Sequence, residues 1–346
     1  MTPSDNNTVS SSEPRIERKE LYAELESHLA CKVLSFVTSE RRGMETQIAQ
    51  DCIDPFVDLL DAIGPTNRLA LILHTLGGST LAAWRLINLI RMFCEELYVL
   101  IPSKALSAGT LISIGADKVI MTKQAAMGPI DPSVSDPLNP QAVVNGQQTP
   151  VPVSVESVRG YLDAAREELQ ITDSEHLGSI LVNLTTHIHP LVLGSIFRTQ
   201  SQIRFLARKL LSQQIDNEST VESIIKFLCA DSGSHDYTIN RREALELGLE
   251  VDKPSDEVYA VLRQLHLSFM NELKESEPYS PHSILHGMNP MESVPYAIPR
   301  GFIESTDDKG YSFVSEGKLT LVTIPGDPPQ EGVKDDRLFD GWRRYG

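Results

Sequence analysis

Cysteine is scarce, with four in 346 residues. Those at 31, 52, 94 and 229 form no CxxC pair and no short spacing. That excludes a disulfide framework and a cysteine-based zinc site. Cys31, Cys52 and Cys94 fall in apolar surroundings and are expected as reduced core thiols, which suits a reducing, cytoplasmic setting. Positive charge is also short: 31 Lys and Arg stand against 47 Asp and Glu, for a net charge of −16. With no basic run, nucleic acid and anionic membrane surfaces are poor partners. No stretch approaches the roughly 18 apolar residues of a membrane span. There is no Gly-x-Gly-x-x-Gly after a strand and no Walker-type loop, so no nucleotide cofactor is expected. His187 and His189 stand two apart in a helical region. Residues i and i+2 face apart on a helix, so shared metal ligation is not expected either.

What is present is a 41% apolar chain, enough for a large core. Residues 1–14 are Ser/Asn-rich, lack the apolar centre of a signal peptide and are expected as a disordered leader. The pattern then predicts helix 15–30, strand 33–38, a polar connection 43–50, helix 53–63 stopped by Gly64-Pro65, and strand 68–74. It continues with helix 80–94, strand 96–101, helix 106–116 and strand 118–121. This alternation argues for a mostly parallel sheet with right-handed crossovers. Residues 133–153 read as a loop, followed by helices 157–169, 175–183, 190–211 and 220–230, an extended piece 234–239 and a helix capped by Asn240 and stopped by Gly248. A long helix over 255–273 precedes two strands, 310–315 and 318–323, with Glu316-Gly317 as their hairpin turn. The expected domains are therefore 15–252, with a loop and helical insertion at 133–230, and a C-terminal extension at 253–346.

Two segments carry chemistry. Leu69–His74 is a continuous apolar run that leads into Thr75-Leu-Gly-Gly78. Glycine lets main chain approach a ligand closely, so Gly77 and Gly78 are candidates to turn amides toward a bound carbonyl. Ser107 stands among Ala105, Ala108 and Gly109 at the mouth of an apolar helix. Small neighbours leave its hydroxyl accessible, and a helix N-terminus favours a developing oxyanion. An ordinary turn and an ordinary N-cap serine are the bland alternatives. Both segments follow adjacent apolar strands, where sites of α/β sheets form.

In combination, His74-Thr-Leu-Gly-Gly-Ser79, Ser107-Ala-Gly-Thr110, Gly115-Ala-Asp-Lys118 and Gly128-Pro-Ile-Asp-Pro132 resemble the Clp/crotonase superfamily of serine peptidases. The branch is the serine dehydrogenase proteinase family, related to signal peptide peptidase A. The resemblance runs on through His189-Pro-Leu-Val-Leu-Gly194 and Ser234-His-Asp-Tyr-Thr-Ile239. It implies an α/β spiral of β-β-α units and a Ser107 nucleophile. It further implies an oxyanion hole at Gly78 and Ala108 with Gly77 beside it, a peptide or protein substrate, and homo-oligomers.

The base is where the chain departs from the pattern: Met127-Gly-Pro-Ile-Asp131 has no histidine where Clp peptidases carry one. Three candidates remain. Lys104 lies three residues before Ser107, and a buried lysine can be neutral enough to act as base. His235 adjoins Asp236, which matches the acidic member of the family's triad. His189 is the third. Two other readings of the same fold stand beside peptide hydrolysis: an acyl-CoA hydratase or isomerase, and an inactive oligomeric scaffold.

Overall fold

The computed structural model describes residues 12–346 apart from 131–132, 135, 145–146, 232–236, 290, 307–308, 325–329 and 346. The chain divides into two compact units, Met1–Ala126 with Glu250–Gly346, and Met127–Leu249.

The first unit is built on helix α1 (Ser12–Leu29), strand β1 (Lys32–Thr38), helix α2 (Ile53–Ile63), strand β2 (Thr66–His74), helix α3 (Thr80–Arg91), strand β3 (Cys94–Ile101), helix α4 (Ala108–Ser113) and strand β4 (Lys118–Met121). After the second unit come strand β5 (Val251–Asp252), helix α5 (Asp256–Leu273) and three long strands, β6 (Ser293–Ser305), β7 (Gly310–Ile324) and β8 (Gln330–Tyr345). All eight strands share one sheet in the order β5-β4-β3-β2-β1-β6-β7-β8. The β5 to β1 part is parallel, and β6 joins β1 antiparallel.

Each parallel strand is followed by a short extended piece that bridges to the next one. Ile48 pairs with Gly78, Thr75 pairs with Ala105, and Ala126 donates to the Ser103 carbonyl at 2.8 Å. That repeated long strand, short strand and helix is the Clp/crotonase-like spiral, so the fold is α/β of that type. The parallel strands are buried on both faces, which explains their near-continuous apolar runs. Val33, Val37, Ala70, Ile72 and Leu100 point toward α1 and α5, against Tyr22, Leu25, Leu262 and Phe269. The alternate residues face α2, where Phe36 meets Phe56 edge-on at 5.3 Å.

Several boundaries differ from the sequence expectation. The described helix α1 begins at Ser12, inside the expected leader, and residues 1–11 lie outside the described residues. Helix α3 stops at Arg91 and Cys94 opens β3. Of the three cysteines expected in the core only Cys52 is buried; Cys31 and Cys94 are half-buried. All four are free thiols, and burial pushes the Cys52 thiol up to about 12.

The largest correction is in the C-terminal region. Glu316-Gly317 is not a turn: β7 runs unbroken through it between β6 and β8. Gly317 is there for closeness. A Cβ at this position would stand 2.6 Å from the Asp336 carbonyl oxygen and 2.9 Å from the Tyr296 hydroxyl. At this point the β7–β8 register shifts by one residue, a β-bulge.

The second unit holds a hairpin, Gln141–Val144 with Gln147–Pro150, so 133–153 is not structureless. It also holds helices Val155–Asp163, Ser174–Leu184, Pro190–Leu211, Glu218–Lys226 and Arg241–Glu246. Val153, Val158, Val192 and Ile196 form an apolar core there. Asn240 caps the last helix by accepting from the Arg242 and Glu243 amides. No described helix is long and apolar enough to cross a membrane.

Candidate active site

The turn after β2 is laced to its surroundings by main chain. The Thr75 amide donates to the Lys104 carbonyl and the Leu106 amide donates back to the Thr75 carbonyl, both at 3.0 Å. The Ile48 amide donates to the Gly77 carbonyl, and the Ser79 amide to the Ile48 carbonyl, each at 2.8 Å. Gly78 therefore sits against Ile48. A Cβ there would come within 2.3 Å of the Ile48 carbonyl oxygen, and its φ of +142° is one side chains rarely adopt. Gly77, at φ +117°, abuts the second segment, since its Cβ would lie 2.7 Å from Ser107 Cβ and 2.9 Å from the Leu106 carbonyl oxygen. Both glycines are demanded by close backbone approach, so neither is an interchangeable turn residue.

Ser107 occupies the position before α4 with φ 51° and ψ −111°. A non-glycine residue there stores about 1–3 kcal/mol of strain, and such strain clusters at functional sites. The residue is 9% exposed. Its side chain makes no cap hydrogen bond, which removes the plain reading of this serine as a helix cap. The amides around it divide clearly. The Gly77 amide donates to Thr75 Oγ1 at 3.0 Å, and the Gly109 amide donates to the Leu106 carbonyl at 2.8 Å. The Gly78 and Ala108 amides have no recorded partner among the described residues, Ala108 being the first residue of its helix.

Thr75 and His74 are consecutive residues of an extended segment, so they project to opposite faces of the sheet. Thr75 faces Thr38, whose hydroxyl donates to it at 2.8 Å. His74 faces α5 and stands 5.0 Å from His266, ring centre to ring centre. His74 is 1% exposed, yet neither ring nitrogen has a hydrogen-bond partner among the described residues; Nε2 lies 3.6 Å from Glu40 Oε1. Lys104 Nζ donates to Glu40 Oε2 at 2.5 Å. His74 across that gap and Lys104 in the ion pair hold the Glu40 carboxyl down to about 2, against the opposing effect of burial. Burial, with His74 alongside, holds the His266 imidazole down to about 4. The Glu275 carboxyl accepts from the Glu40 amide at 3.1 Å and is raised by burial.

Lys104 therefore lies three residues from Ser107, as expected, but paired with Glu40. His189 caps the helix Pro190–Leu211, where Nδ1 accepts from the Leu191 amide at 3.2 Å. His235 and Asp236 lie outside the described residues. Glu40, His74, His266 and Glu275 escaped the sequence reading as a group. His74 looked like the last residue of a strand, and nothing in periodicity ties it to positions 40, 266 and 275. No set of three or more metal-ligating side chains occurs among the described residues.

Residues 54–149 match the family model of the ClpP-like SDH-type serine proteinases. Two uncharacterized proteins of Methanocaldococcus jannaschii are similar to the chain. The first is 31% identical over 215 residues, covering 61% of this chain and 64% of the relative; the second is 29% identical over 203 residues, covering 58% of each. The chain thus spans less than two thirds of the length of these relatives. Among solved structures, a membrane-bound stomatin-specific protease aligns with 16% identity and a TM-score of 0.36 over 61% of this chain and 76% of its own. A ClpP1 mutant from Listeria monocytogenes aligns with 12% identity and a TM-score of 0.36 over 68% and 99%.

Proposed function

From the premise that residues 54–149 match the ClpP-like SDH-type serine proteinases, we propose that the protein hydrolyses peptide bonds through an acyl-enzyme on Ser107. The observation that carries this reading is the strained, uncapped Ser107 set directly against the Gly77-Gly78 backbone. A base removes the Ser107 hydroxyl proton as Oγ adds to the scissile carbonyl. The Gly78 and Ala108 amides, which have no other partner among the described residues, donate to the resulting oxyanion. Collapse expels the amine, which takes the proton back from the base, and water then releases the acyl group by the same route.

Of the three candidate bases, Lys104 is engaged in an ion pair with Glu40 and His189 in capping its helix. His235, with Asp236 next to it in the sequence, is the third candidate, and substitution of each of the three identifies the base. The Lys104–Glu40 ion pair stands three residues before Ser107, on a segment tied to Thr75 by main-chain hydrogen bonds. A hydratase or isomerase acting on thioesters would use the paired amides but has no need of a strained serine. Four free thiols support a reducing, cytoplasmic setting.

The test is labelling with a fluorophosphonate probe, with intact mass to locate the adduct. Wild type is expected to label at Ser107 and Ser107→Ala not at all, and among Lys104→Ala, His189→Ala and His235→Ala the variant that labels far more slowly identifies the base. A folded wild-type protein that takes no label would reject acyl transfer and leave the scaffold reading.

A further inference from the structure

Strand β8 is the last strand of the eight-stranded sheet, and no other strand pairs with its outer edge among the described residues. Beyond its ladder with β7, the β8 backbone takes one recorded hydrogen bond among the described residues, from Arg15 Nη1 to the Tyr345 carbonyl at 3.3 Å. A strand of 16 residues with a free edge is a template for another strand. Its charges have an unusual order: Lys334-Asp-Asp-Arg337 near one end and Trp342-Arg-Arg344 near the other. Asp335, Asp336, Arg343 and Arg344 are all exposed.

We propose that β8 pairs antiparallel with β8 of a second copy of this chain, about a two-fold axis at Asp340, joining the two sheets edge to edge. In this register Arg343 stands opposite Asp336 and Arg344 opposite Asp335, and the two-fold repeats both pairs. The β-bulge is what permits it. An edge strand offers outward amides and carbonyls from alternate residues only, so a regular strand pairs with itself only between residues of equal parity. The register shift after Phe339, which faces Glu316 while Arg337 faces Gly317, exchanges that parity along β8. Arg343 and Asp336 then belong to one alternate set, and Arg344 and Asp335 to the other.

The face of the sheet agrees as well. Arg343 reaches Glu316 and Asp336 reaches Lys334 on one face, while Tyr296 reaches Asp335 on the other. Neighbouring registers of allowed parity set Arg343 against Lys334, or Arg344 against Arg337, which opposes like charges. The proposed register opposes four Arg–Asp pairs, whereas the first neighbour offsets its Arg343–Lys334 repulsion only with Arg337 opposite Asp340, and the second offsets its Arg344–Arg337 repulsion with nothing. Asp340 meets its own copy at the axis, but each is already engaged by Arg300 at 3.0 Å and by the Ser315 hydroxyl.

Sedimentation velocity with charge reversal tests this. Asp335→Arg with Asp336→Arg makes one strand that repels itself; Arg343→Asp with Arg344→Asp makes another. Each is expected to sediment at half the wild-type mass. An equimolar mixture of the two is expected to return to the wild-type mass, because each supplies what the other lacks. A wild-type protein that is monomeric at micromolar concentration, or half-swapped variants of unchanged mass, would overturn the proposal. Should a charge-reversed variant misfold, Asp340→Cys keeps it falsifiable. Directly opposed residues across an antiparallel pair have Cα atoms about 4.5–5.5 Å apart, within disulfide range. Oxidised Asp340→Cys is expected as a covalent dimer, and Gln330→Cys, which has no partner position in this register, is expected to remain uncrosslinked. Failure of Asp340→Cys to crosslink above the wild-type background overturns the register.

Discussion

Two polar centres lie within the first unit, and they are satisfied to opposite degrees. Under α1 and α5, Arg18 is fully buried with a complete set of partners. Its Nε and Nη2 donate to Glu304 at 2.9 and 2.6 Å, and Nη1 donates to Glu272 at 2.7 Å. Tyr22 and Tyr345 add their hydroxyls to Glu304, and burial beside that carboxylate raises both phenols. At the carboxyl ends of β2 and β3 the reverse holds. Ser107 is strained, and among the described residues two amides lack partners and the buried His74 has two idle nitrogens. A buried group left unpaired costs about 1–3 kcal/mol. A fold able to saturate Arg18 could saturate these too, and the proposed function is what accounts for their want of partners.

The contrast can be broken from either side. The largest effect is expected for Ser107→Ala, which should lower peptide turnover by at least about 1000-fold while the melting temperature holds. A comparable loss of stability would mean that Ser107 is structural after all. Arg18→Ala should do the reverse. It strands the buried Glu304 carboxylate and should cost about 3–5 kcal/mol of unfolding free energy, read from denaturant midpoints, with probe labelling unchanged in the fraction that remains folded.

A third outcome concerns pH. His266 is held at about 4 in the fold against an ordinary value of 6.5, so the unfolded chain binds the proton first. Its contribution to stability is complete above pH 6.5 and is lost as pH falls through that window toward 4. Below about 4.5, Glu40, held at about 2, adds a loss in the same direction. Thermal melts of His266→Gln should show a flatter acid limb between pH 6.5 and 4 than wild type. The smallest effect is expected for Ser107→Gly. Glycine accepts φ 51° without strain but loses more entropy on folding. The inactive variant should therefore be more stable than wild type by about 1 kcal/mol.

Much of this was legible in the chain and some was not, for physical reasons. Helices 53–63 and 190–211 announce themselves by apolar period, the first also by the Gly64-Pro65 stop, and the structure places both at those residues. Strand β2 was readable because burial on both faces leaves an apolar run. Glu316-Gly317 misled because a glycine that admits a close neighbour looks the same as a glycine that turns a chain. The strands β6 and β8 were missed because they are half-exposed and carry charge and proline, which blunts alternation. Within the candidate site, Ser107 and the glycine pair were visible from small residues after strands. Ile48, whose backbone clamps Gly77 to Ser79, was not, since main-chain contact leaves no mark on side-chain type.

The partners of Arg18 have a further consequence for how the chain is made. Helix α1 is synthesised well ahead of its partner, since Glu304 follows Arg18 286 residues later. At the usual 5–20 residues per second, roughly 15–60 s separate the two. Over that interval an amphipathic helix and the exposed edge of β1, whose neighbour β6 is also still to come, have no mate. Birth of this protein thus includes a waiting period in which α1 and β1 expose apolar surface and a free edge.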